Sequence, residues 1–259
     1  MSQTIDVVKI GGNVVDDPQA LARFIEDFAA MPGHKVLVHG GGKEATRMSA
    51  TLGIETKMIA GRRMTDRATL DVVTMVYAGL VNKRIVSMLQ AQGCDAIGLT
   101  GADANVVKAT RRNPEPIDYG YVGDINPDDV NAGVIAEFCA KGLVPVFCAI
   151  MHDGMGTLLN CNADSVASAV ALGTARVADV SLTYCFEKKG VLRDVDNPES
   201  VISVITPGIY PELKADGVVA DGMIPKIENA LAAVAKGVKS VRICHSDDIN
   251  MPGGTTICL

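Results

Sequence analysis

Ile5-Asp6-Val7-Val8-Lys9-Ile10-Gly11-Gly12-Asn13 sets the fold: a short run rich in Val and Ile, broken abruptly by a glycine pair. It reads as a strand that ends in a tight turn. A second run, Val36-Leu37-Val38-His39-Gly40-Gly41-Gly42-Lys43, repeats the pattern and leads into a segment of helical period. Outward from these two, strands are expected at 6–10, 35–38, 96–99, 144–148, 180–183 and 240–243. Helices are expected at 18–30, 43–52, 67–92, 127–141, 163–174 and 224–236, several with Asp or Asn near their starts. Alternation of this kind predicts an α/β fold, a three-layer αβα sandwich around a mostly parallel central sheet. Residues 106–123, with Arg111-Arg112-Asn113-Pro114-Glu115-Pro116, break both periods and read as an excursion or hairpin with an exposed tip. No repeat and no linker divides the chain, so one bilobed domain is expected.

Composition narrows the function. With 259 residues and 48% hydrophobic content the chain can bury a large core. Its net charge of −6 supplies no basic field for nucleic acid, so an anionic ligand must be held by local groups. Seven cysteines are scattered among apolar neighbours without a CxxC pair, which suits reduced core thiols better than metal ligands. The first strand follows Met1 to Thr4 directly, leaving no room for a signal peptide, and apolar stretches such as 166–172 and 230–235 fall short of a bilayer's width. A soluble, cytoplasmic protein is expected.

Both glycine turns can bring bare backbone N–H groups against an anion, and the helix after the second adds a favourable dipole. Two such turns on adjacent strands imply a crevice for several phosphates, or for a phosphate and a carboxylate. A dinucleotide-binding oxidoreductase competes at this point. Gly40-Gly41-Gly42-Lys43-Glu44-Ala45 also fits G-x-G-x-x-A, with Glu55 as the ribose acid. That scheme leaves Lys9 and the Gly11-Gly12 turn without a role, and the fingerprint follows the second strand instead of the first.

Two further clusters stand out. In Asn160-Cys161-Asn162-Ala163-Asp164 three polar side chains converge ahead of an apolar helix, although a plain N-cap would account for one of them. In Asp221-Gly222-Met223-Ile224-Pro225-Lys226 a lysine falls in the first turn of a helix, where the dipole disfavours a cation. A pair of lysines aimed at a transferring phosphoryl group, held by an aspartate, would explain that placement.

Taken together, V-K-I-G-G-N, V-H-G-G-G-K, G-R-R-M-T-D at 61–66, G-L-T-G-A-D at 98–103, L-N-C-N-A-D at 159–164, D-G-M-I-P-K at 221–226 and the final G-G-T-T-I resemble the amino-acid kinase family over nearly the whole chain. The likeness is to the branch acting on an N-acylated glutamate. It implies transfer of a phosphoryl group from ATP to the side-chain carboxylate, as in arginine biosynthesis, with Mg²⁺ arriving on the nucleotide. It implies that Lys9 and Lys226 stabilise the transferring group and that Asp164 orients them. Gly11 and Gly12 match the turn at the nucleotide phosphates. Gly41 and Gly42 match the turn beside the acyl-amino-acid, Arg63 the guanidinium on its α-carboxylate, and Asn160 and Asn162 the amides around it. The likeness also implies an acyl-amino-acid lobe over about 1–175 and a nucleotide lobe over 176–259. His39 and His152 are left as structural.

One departure stands out. Where the family usually has L-T-D-V-x-G-V-L, this chain reads Leu182-Thr183-Tyr184-Cys185-Phe186-Glu187-Lys188-Lys189-Gly190-Val191-Leu192, with Tyr184 in place of the aspartate and a longer turn. Adenine and ribose contacts are therefore left unassigned. Kinases for a bulkier acyl group such as succinyl, or for a related carboxylate, stay open, as does an inactive amino-acid sensor. Family members inhibited by arginine carry an extra N-terminal helix. The short segment before the first strand leads to the expectation of an arginine-insensitive homodimer joined through the 67–92 region.

Overall fold

The computed structural model describes residues 3–219 and 223–259. Eight strands form one sheet: β1 (Thr4–Ile10), β2 (His34–His39), β3 (Ala96–Leu99), β4 (Val144–Phe147), β5 (Asp179–Phe186), β6 (Val204–Ile205), β7 (Ser240–His245) and β8 (Thr255–Ile257). Their spatial order is β6-β8-β7-β5-β1-β2-β4-β3, and all neighbours run parallel except β7 and β8. The parallel centre must be covered on both faces, since its side chains alternate between them. Ile5, Val7, Val8 and Ile10 are accordingly all buried.

The helical layers follow local signals. Pro18–Ala30 starts at Asp17, whose carboxylate accepts the N–H groups of Gln19 and Ala20, and it buries Leu21, Phe24, Ile25 and Phe28 on one stripe. It packs against Asn82–Ala91. Ala163–Thr174 lies on β1, β2 and β5 and also against Ala132–Ala140, while Met223–Ala235 covers β7 and β8. The helix Arg67–Ala91 is continuous over 25 residues and carries a π-helical stretch at Met75–Val81. By length and composition it would suffice to cross a bilayer, but Leu70, Val73, Val76, Ile85 and Leu89 are buried in the domain core. It is a core helix.

Two expectations are corrected. Residues 127–141 are not one helix: a 3-10 turn at Pro127–Asp129 is capped by Asn126, the chain extends at Val130, and Asn131 caps a new start at Ala132–Ala140. Two cap residues five apart split the segment. β5 also runs three residues beyond the expected 183, so Tyr184 lies within the strand and not in the turn after it. The 106–123 excursion is a hairpin, Thr110–Arg111 pairing with Gly123–Asp124, with residues 113–118 exposed at its tip. β6, β8, the short helices Gly12–Asp16 and Tyr210–Ala215, and the small ribbons Met58–Ile59/Arg62–Arg63 and Ile150–His152/Leu158–Asn160 were not expected from sequence.

Candidate active site

β1 and β2 end side by side, with Ile10 opposite His39, so the two glycine turns are neighbours at the carboxyl edge of the sheet. The helices that begin at Gly12 and Gly42 have no side-chain cap, which leaves first-turn N–H groups facing outward. A Cβ on Gly42 would meet nothing within 4 Å, whereas one on Gly41 would come within 2.9 Å of the Tyr77 ring. The Gly11 N–H donates to the Cys185 carbonyl at 3.0 Å, tying the first turn to β5.

Lys9 is 7% exposed, and its Nζ lies 2.7 Å from Asp164 Oδ1 as an ion pair off hydrogen-bond alignment. Asp164 is in the first turn of Ala163–Thr174. Asn162 caps that helix: its Oδ1 accepts from Asp164 N at 2.9 Å and from Ser165 N at 3.1 Å. The bland role expected of one member of this cluster thus belongs to Asn162, which leaves its Nδ2 for a ligand. Asn160 ends its short strand and donates Nδ2 to Thr65 Oγ1 at 3.0 Å.

Arg63 is 8% exposed. Its Nη2 donates to the Gly42 carbonyl and to Thr46 Oγ1, both at 2.8 Å, and Nη1 donates to Thr56 Oγ1 at 3.2 Å. Among the described residues no carboxylate pairs with it. A buried cation held by neutral groups has its charge available for an anionic ligand.

Arg63, Lys9, Gly12, Gly41, Gly42 and Asn160 line a cavity of about 250 Å³. A larger one, about 470 Å³, is lined by Asp164, Tyr184, Phe186 and Lys226. Arg62 and Asn162 border both. The Lys9–Asp164 pair joins the cavities, Lys9 facing the smaller and Asp164 the larger. Lys226 is in the first turn of Met223–Ala235, its Nζ 4.0 Å from the centroid of the Phe186 ring. Asp221 and Gly222 of the same motif lie outside the described residues.

His39 is fully buried with both ring nitrogens engaged: Nδ1 meets the Gly40 carbonyl at 2.7 Å, and Asn82 Nδ2 donates to Nε2 at 3.0 Å. Burial pushes its pKa down to about 4, so it is a neutral structural group. Tyr184 is also held neutral, its pKa raised by burial with the Asp164 charge adding to it.

Sequence reasoning missed Arg62, Tyr77 and Phe186. Arg62 stands in the same G-R-R-M-T-D motif as Arg63 and was open to notice. Tyr77 comes from the π-helical stretch, a winding that often marks functional sites and has no simple sequence pattern.

The amino acid kinase family matches residues 5–245. An acetylglutamate kinase of Phocaeicola vulgatus is 51% identical over 257 residues, covering 99% of each chain. Among solved structures, smu.665 from Streptococcus mutans superposes with a TM-score of 0.78 at 32% identity over 98% of each chain. Giardia carbamate kinase shares the fold at a TM-score of 0.66 and 15% identity, over 99% of each chain.

Proposed function

The chain belongs to the amino acid kinase family, and from that premise we propose that it transfers the γ-phosphoryl group of ATP to the side-chain carboxylate of N-acetyl-L-glutamate, giving an acyl phosphate in arginine biosynthesis. One observation carries the reading. A buried arginine with no carboxylate partner among the described residues shares a cavity with the lysine of a lysine–aspartate pair, and the aspartate of that pair lines the cavity next door together with a second lysine.

In this reading the smaller cavity takes the acyl-amino-acid. Arg63 grips the α-carboxylate, the Gly41–Gly42 backbone lies beside it, and Asn160 and the free Nδ2 of Asn162 supply amides. The nucleotide lies in the larger cavity, and its terminal phosphates reach past the Lys9–Asp164 pair to Gly12, which lines the smaller cavity, and to Gly11 beside it. The acceptor carboxylate then attacks the γ-phosphorus in line. It is already ionised at neutral pH, so no general base is required, in keeping with the neutral role of His39. Lys9 and Lys226 stabilise the charge that spreads over the transferring oxygens, and Asp164 holds Lys9 in place. Mg²⁺ would be carried by the nucleotide phosphates and lower their negative charge; among the described residues no cluster of three His, Cys, Asp or Glu could cage it. Residues 1–175 then form the acyl-amino-acid lobe and 176–259 the nucleotide lobe. The dinucleotide reading is not favoured: Glu55 lines neither cavity and lies exposed, 3.5 Å from Lys57.

The proposal extends to a cytoplasmic homodimer joined through Arg67–Ala91, where Met75 and Leu80 are exposed apolar side chains. The central test is a coupled ADP-release assay over N-acetylglutamate, N-succinylglutamate, glutamate, aspartate and carbamate. Preference for N-acetylglutamate is expected. Release with the succinyl compound alone would move the assignment to another acyl group, and no release with either acylglutamate would end it.

A further inference from the structure

The segment that departs from the family pattern has an unexpected place in the site. β5 continues through Tyr184 and Cys185 to Phe186, and the Phe186 ring lies directly beside the first glycine turn: a Cβ on Gly11 would be 3.6 Å from its Cδ1. The Tyr184 ring stacks on it with planes only 2° apart and centroids 6.1 Å apart. Two ammonium groups approach that ring. Lys226 Nζ is 4.0 Å from its centroid and Lys9 Nζ is 5.2 Å away. The two cations are thus no farther apart than those distances laid end to end.

Two like charges that share one ring repel each other, and their flexible four-carbon stems do nothing by themselves to keep them together. Lys9 is restrained by Asp164, but among the described residues no carboxylate pairs with Lys226. An aromatic face carries negative quadrupole charge and attracts a cation within about 6 Å. Phe186 meets that condition for both lysines, and the Tyr184 ring lies parallel beside it.

We infer that Phe186 is a positioning residue for phosphoryl transfer, its ring gathering Lys9 and Lys226 at the point where Asp164 alone restrains just one of them. This rests on the reading above in which both lysines stabilise the transferring group. A ring suits the task better than a second carboxylate, which would repel the incoming nucleotide phosphates. It holds the cations while leaving their charge free for the transition state.

The test separates the ring's electrostatics from its bulk. Phe186→Leu, of similar hydrophobicity, is expected to lower kcat on the order of tenfold, with KM for both substrates within about threefold of wild type. Phe186→Tyr should restore kcat to within about twofold. Replacement of Phe186 by mono-, di- and trifluorophenylalanine keeps the shape and drains the ring face stepwise. Log kcat should fall with each added fluorine while the thermal midpoint stays fixed. A flat fluorine series, whatever Phe186→Leu does, would overturn the inference. Lys9→Met and Lys226→Met serve as controls. If either retains wild-type turnover, the underlying assignment of the lysines fails; if both lose turnover and the fluorine series is flat, the role of Phe186 alone fails.

Discussion

Replacing Arg63 by alanine tests the acceptor half of the site. A guanidinium has five N–H donors. Three are spent on Gly42 O, Thr46 Oγ1 and Thr56 Oγ1, so two remain to meet a ligand carboxylate. Hydrogen bonds to a charged group contribute about 1.5–3 kcal/mol each. Two of them amount to roughly 3–6 kcal/mol, and at about 1.4 kcal/mol per tenfold the KM for the acyl-amino-acid should rise by about a hundredfold or more. The carboxylate partner is present before and during transfer, so kcat should change little. Arg63→Lys keeps the charge but cannot span all the partners, and an increase of about tenfold is expected. The assay is ADP release at saturating ATP with the acyl-amino-acid varied, then the converse, with circular dichroism to confirm folding. A rise in KM for ATP with the acyl-amino-acid KM unmoved would refute the assignment, as would less than a threefold change in both.

Lys226→Met should fold and lose on the order of a thousandfold in kcat; turnover within a few-fold of wild type would remove it from the mechanism. Gly41→Ala drives a methyl into the Tyr77 ring and should cost about 1–3 kcal/mol in urea unfolding, whereas Gly42→Ala should fold at least as well as wild type yet raise the acyl-amino-acid KM. Equal stabilities for the two would contradict the packing at Gly41. For His39, whose folded pKa is lowered to about 4, the unfolded chain takes up a proton near pH 6.5 while the native state does not. Its contribution to stability is therefore complete above pH 6.5 and is lost as the pH falls toward 4, about 2 kcal/mol of it between pH 7 and 5. His39→Gln should flatten the pH dependence of urea unfolding over that window, and parallel profiles would sink the argument.

Much of the sheet could be read because its inner strands are buried on both faces and therefore apolar throughout. β1, β2 and β4 begin and end within two residues of expectation, and Pro18–Ala30 is legible from Asp17 and the proline after it. Short edge elements were not. β6 and β8 have two and three residues, too few for a period, and exist only because a neighbour satisfies their backbone. The split at Val130 is hidden in the sequence because Asn131 fits a helix interior as well as the cap that it is. Within the site, Lys9, Asp164 and the glycine turns are local motifs and stood out. Tyr77 and Phe186 act across the fold, through a ring against a glycine and a ring against two cations, and such contacts leave no spacing to find.

β1 stands between β5 and β2, with three more strands beyond β5 and two beyond β2. Lys9 therefore grows from the middle rib of the sheet. The elements that line the smaller cavity hang mainly from the β2 side, and Tyr184, Phe186 and Lys226 hang from the β5 side. Such a layout lets selection work on one wing at a time. Arg63 and the glycines beside it can change to fit a different acid without unseating the lysine, and the carboxyl end of β5 can exchange an aspartate for Tyr184 without disturbing the grip on the acid, while Arg62 and Asn162, which border both cavities, belong to both wings. A lineage built this way can change what it phosphorylates, or how it steadies the phosphate, as two separate inheritances.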